Sequence, residues 1–175
     1  YRTHEDRALN AKDTLEFFKK LKEEDRLPLV VGSDNGSVFC AQVVASFLSQ
    51  NRVIHLRSLP RVPQHNASAE ISVREIKDMV ALGIDETRAC EILNKYRRRA
   101  KLGGQTVEQA EQKLQLRVSE CLRGKFFEAT SLAIAEAKLA AKTSCQRRRF
   151  EREAIFNTME RFSLLTRTRG HLGAS

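Results

Sequence analysis

Two carboxylates stand out by their setting. Asp34 follows Leu27-Pro28-Leu29-Val30-Val31-Gly32, a short apolar run rich in branched residues and closed by glycine. That is the pattern of a buried parallel strand. An α/β sheet normally places its ligands beyond the carboxyl ends of its strands. Asn35-Gly36 permits a sharp turn there, leaving the carboxylate exposed at the sheet's edge. Glu70, with 35 residues between it and Asp34, lies near the start of a helix. On that helix Glu70, Arg74 and Lys77 fall at i, i+4 and i+7, so a carboxylate and two cations share one face. Val73, Ile76, Met79 and Val80 take the opposite side and are expected to pack on the sheet. Taken singly, the first feature is also an ordinary turn, and the second an ordinary solvated face with a Glu–Arg pair.

The elements around them read in order. Glu5 to Glu24 predicts a helix, with Ala8, Leu9, Leu15, Phe18 and Leu21 at three- and four-residue steps. Val43, Val44, Phe47 and Leu48 mark a second helix, and Val53-Ile54-His55-Leu56 a second strand. Helix, strand, helix, strand implies an α/β sheet with crossover connections. A loop with Pro60 and Pro63 leads to a helix from about Ala67 through Ala81. Beyond it the chain reads as helical over 85–101, 106–123 and 126–162, broken at Gly103-Gly104 and Gly124, with a loose tail over 166–175.

The net charge of +9 is unevenly spread: residues 1–80 carry +1 and residues 81–175 carry +8. A basic half points toward polyanions or toward a solvated helical surface, and charge alone does not choose. Arg97-Arg98-Arg99 and Arg147-Arg148-Arg149 are its densest clusters and are read as phosphate contacts. No apolar run approaches the ~20 residues of a membrane span, and no signal-peptide pattern is visible. The four cysteines (Cys40, Cys90, Cys121, Cys145) are scattered without a close pair, which argues against a zinc site. They are read as reduced and mostly structural, as fits a cytoplasmic protein.

Together these pieces resemble the integrase catalytic core of retroviral integrases and many insertion-sequence transposases. Gly32-Ser33-Asp34-Asn35-Gly36-Ser37-Val38-Phe39 is similar to its signature around the second Asp. Ser58-Leu59-Pro60 and Pro63-Gln64-His65-Asn66-Ala67, with Glu70 three residues on, are similar to its segment leading into the Glu helix. The 35-residue gap is the family's spacing. Leu93-Asn94-Lys95-Tyr96-Arg97-Arg98-Arg99 and Leu102 to Glu108 resemble a transposase tail without its two prolines, so the likeness spans about residues 8–110. It implies a partial ribonuclease H-like integrase core over 1–82, then a basic, mostly α-helical region over 83–165.

The resemblance also implies a chemistry. Such enzymes cut and join DNA by in-line displacement at phosphorus, with two Mg²⁺ (or Mn²⁺) ions about 4 Å apart stabilising the attacking and leaving oxygens. Asp34 and Glu70 would each hold one metal, because Mg²⁺ wants oxygen ligands in near-octahedral geometry. Arg74 and Lys77 would lie beside the scissile phosphate or terminal bases, and Asn66 would shape the loop into the helix. The family's first Asp, which bridges both metals, belongs on a strand ahead of the opening helix. Asp6, Asp13 and Asp25 lie on or beside that helix instead. The chain therefore reads as the downstream part of a core, with strand transfer not expected from this polypeptide alone. Without its first three strands, the sheet is expected to expose an edge and an apolar face. DNA is the expected partner, with a homo-oligomer formed through the apolar residues Phe126, Phe127, Leu132, Ile134, Leu139, Ile155 and Met159. The alternative is an inactive DNA-binding or self-associating remnant, or a helical interaction protein in which the spacing is accidental.

Overall fold

The computed structural model describes residues 10–59, 67–114 and 118–165. It is mostly helical with a two-stranded parallel sheet, and it divides into two compact units. Residues 10–59 join 118–165 in the first, while 67–114 form the second.

In the first unit, α1 (Ala11–Glu23) begins at Asn10, whose side chain accepts from the Lys12 and Asp13 amides while Asp13 accepts in return. This reciprocal cap starts the helix later than the periodicity predicted, and the predicted positions before Asn10 lie outside the described residues. β1 (Val30–Ser33) pairs in parallel with β2 (Ile54–Arg57), Val30 opposite Ile54 and Ser33 opposite Arg57. The ladder starts after Pro28, which has no N–H to donate. Between the strands lie the single turn α2 (Ser37–Cys40), which the sequence did not signal, and α3 (Gln42–Gln50).

Strand alternation then sorts the apolar residues onto two faces. Leu27, Val31 and Val53 meet Phe18 of α1 and Val44 and Leu48 of α3. Val30, Ile54 and Leu56 point the other way, joined by Leu29, which precedes the strand and is not placed by its alternation. That second face was expected to stand bare, and it does not. The hairpin of α7 (Glu120–Ala140) and α8 (Ser144–Arg161) packs over it through Phe126, Phe127, Ile134, Ile155 and Met159. These residues, read above as oligomer contacts, thus serve the fold itself; Leu132 and Leu139 remain exposed.

Two predicted helix boundaries fail on α7. Its start is Ser119, whose Oγ caps the Leu122 amide. Gly124 lies inside the helix and is buried there, and an added Cβ would make only an ordinary contact, 3.4 Å from the Arg52 guanidinium. The stretch over 126–162, read from the sequence as one helix, is interrupted at residues 141–143, with Thr143 capping α8.

In the second unit, α4 (Ala67–Ala81) matches its predicted span. α5 (Glu86–Lys95) is capped by Asp85 and stops six residues short of the predicted end. Tyr96 to Arg99 leave the helix, and Arg99 bridges to Gln105 around Gly103 and Gly104. Both glycines sit at positive φ, 63° and 78°, where other residues are strained. α6 (Val107–Leu114) follows, opened by a reciprocal Thr106–Gln109 cap. Ala89 and Leu93 are the buried side chains of α5. Val73 and Val80, expected to pack on the sheet, are exposed at 51% and 46%, because α4 packs on α5 through other positions.

Candidate functional site

Asp34 lies at the carboxyl end of β1, in the first unit, and its side chain is exposed. Its Oδ1 accepts the Gly36 amide at 2.9 Å, closing the turn on itself. A Cβ at position 36 would stand 2.9 Å from that same oxygen, so a side chain there would push the Asp34 carboxylate aside, while the φ of Gly36 is one any residue adopts. The turn is tied to the strand beside it. Ser58 donates its amide to the Ser33 carbonyl at 2.9 Å, and Asn35 donates its side-chain amide to the Ser58 carbonyl at 2.9 Å. The sequence signalled the turn; the tie to Ser58 is a tertiary feature.

Beneath the turn lies a pair that sequence reasoning missed. Ser33 is buried, and its Oγ meets His55 Nε2 at 2.7 Å. The hydroxyl has one proton, donated to the Asp34 carbonyl at 2.8 Å, so the imidazole is the donor in the Ser–His bond. Ser33 is therefore a support for the Asp34 backbone and not a nucleophile activated by a base. The signal available was register: parallel pairing sets His55 opposite Val31, two residues from Ser33 and so on the same face of the strand.

Burial, and then the nearby Arg57, hold the His55 pKa below its ordinary value of 6.5. The folded state thus favours neutral His55. Its contribution to stability is complete above the unfolded value and is lost as pH falls below it and through the lowered folded value. Thermal unfolding followed from about pH 7.5 down to about pH 5 is expected to show a falling midpoint, with the slope reduced in His55→Gln. An equal slope in that variant would assign the acid sensitivity elsewhere.

Glu70 lies in the first turn of α4, in the second unit, and is exposed together with Arg74 and Lys77, as the helical spacing predicted. Glu75 is half-buried on the same helix, where it receives Arg99 at 2.7 Å and Arg97 at 3.1 Å. Two of the three arginines read as phosphate contacts are thus engaged in pinning the loop after α5 to α4. Arg98 is exposed and forms no ion pair among the described residues. Asn66 lies outside the described residues.

Mg²⁺ needs several oxygen donors around one point. The described residues hold no group of three His, Cys, Asp or Glu side chains placed to bind a metal ion. They offer Asp34 and Glu70 as exposed single donors, one in each unit, and not a preformed cage. Cys40, Cys121 and Cys145 are exposed free thiols, which corrects their reading as structural; Cys90 is half-buried. No described helix is long and apolar enough to cross a membrane. No family model matches this chain, and no match is found among curated proteins or solved structures.

Proposed function

We propose that this chain is part of an integrase-type transposase that works in DNA recombination. Asp34 and Glu70 are two of its metal-binding carboxylates, and the third comes from outside the described residues. The observation that carries this reading is the integrase-like motif around Asp34, set in a self-closed turn at the carboxyl end of a parallel strand. Glu70 on the exposed face of α4, followed by Arg74 and Lys77, supports it. In the completed site Mg²⁺ would polarise the scissile phosphate and activate the attacking oxygen. The chain's own part is to hold two carboxylates as oxygen ligands and to bring Arg74 and Lys77 toward the DNA end. Among the described residues no group of three ligating side chains is placed to bind a metal ion, which leaves room for a second reading, a remnant that binds DNA without cutting it.

The whole gene product, given a labelled donor DNA end and Mg²⁺ or Mn²⁺, is expected to nick or join it. Asp34→Asn and Glu70→Gln are each expected to abolish this while leaving DNA binding in place. Cleavage that persists in both variants rejects the assignment of these residues. Binding without cleavage by the unaltered protein selects the remnant.

A further inference from the structure

A cleft of about 470 Å³ opens in the first unit between β2 and the α7–α8 hairpin. Leu48, Ile54, Phe127 and Ile155 give it an apolar floor. Its rim carries Arg57 from the end of β2, Lys138 from α7, and Arg147, Arg148 and Arg152 from α8. Against these five cations the lining has one carboxylate, Glu151, which already meets Lys138 at 3.7 Å.

The cations are held in different ways. Arg152 lies over the Phe156 ring, 4.9 Å from its centre, and donates to the Arg57 carbonyl at 3.3 Å. Its guanidinium is desolvated enough to lower its pKa from the ordinary arginine value. Arg147 and Arg148 are exposed, and neither forms an ion pair among the described residues. Both stand near the amino end of α8, whose first turn contains no acid. Positive charge is disfavoured at that end of a helix, and an anion is favoured there.

We propose that this cleft is a binding site for the backbone phosphates of a DNA strand, separate from the Asp34 turn. Cations drawn from three elements along one cleft suit a polymer of phosphates better than a single ion. The apolar floor, with Phe127, can take the sugar and base surface between phosphates. The choice of DNA as the polyanion rests on the recombination reading; the cleft's preference for phosphate does not.

Fluorescence anisotropy with a labelled DNA strand and the full chain tests this. Arg147→Glu/Arg148→Glu is expected to weaken binding about tenfold or more at low salt, and to reduce the slope of log affinity against log salt by about two. Both side chains are exposed, so the variant's thermal midpoint should match that of the unaltered protein. Arg149→Glu reverses a neighbouring charge outside the cleft lining, and is expected to keep most of the affinity. Equal losses in Arg149→Glu and the double variant, or none in the double variant, would overturn the proposal. So would binding to vesicles of anionic lipid with none to DNA. DNA held by the cleft, in a gene product that never cuts or joins DNA, keeps the cleft and removes the recombination reading. Cleavage at undiminished DNA affinity in the double variant does the reverse.

Discussion

Phe126→Ala is expected to destabilise the first unit by about 3–5 kcal/mol, the range for truncating a fully buried aromatic. Phe126 has no exposed surface and lies with Leu29, Ile54 and Ile155 between the sheet and the α7–α8 hairpin. Its ring also meets Phe162 edge-on, with centres 5.5 Å apart. The vacated volume would be walled by a sheet on one side and two long helices on the other, so it can close only if the hairpin moves. Against a typical total of about 5–15 kcal/mol, such a loss is a large share of the folding free energy. Urea denaturation measures it directly. Phe150→Ala, on the exposed side of α8, is the comparison and should change stability by about 0.5 kcal/mol or less. Equal effects of the two would mean that the hairpin does not seal the sheet.

Arg123→Met is expected to cost about 2–4 kcal/mol by the same measurement. Arg123 is 8% exposed, although it carries a charge. It donates from Nη1 to the Pro28 carbonyl at 3.0 Å and from Nη2 to the Leu27 carbonyl at 2.6 Å. The segment entering β1 has no strand partner there, because the ladder begins at Val30. The guanidinium therefore satisfies two carbonyls that would otherwise be left without donors near the core. Methionine would fill much of the volume and restore neither bond. Arg123→Lys should fall between the two, since one ammonium cannot reproduce the two-pronged geometry. A wild-type denaturation curve for Arg123→Met would show that water replaces both bonds without cost.

These two residues also mark where local pattern stops informing. The Leu29-Val30-Val31 run announced a buried strand, and its neighbours on both faces now explain why it is apolar throughout. Helix α4 was legible in its extent but not in its packing, since Val73 and Val80 of its apolar side stand exposed. By contrast, Gly124 read as a break because glycine disfavours helix on average. The contacts of α7 outweigh that local preference. Arg97 and Arg99 read as free cations because their partner, Glu75, is two helices' length back along the chain. The five cations of the cleft were visible as residues, but α8 and β2 lie far apart in sequence, and only folding brings Arg57 beside Arg152.

By itself, then, the sequence determined what depends on near neighbours. That is the strand leading to Asp34, the Asn35-Gly36 turn that exposes it, and the helix that presents Glu70, Arg74 and Lys77 on one face. Backbone period and turn chemistry act within about ten residues, so these survive in any reading of the chain. The tertiary structure decided what covers the second face of the sheet, what holds Ser33 under Asp34, and which cations share a cleft. Each of those depends on contacts between distant segments, such as the bond from Arg123 to Leu27 across 96 residues of chain. No local preference encodes such a pairing; burial of apolar area over the whole unit selects it.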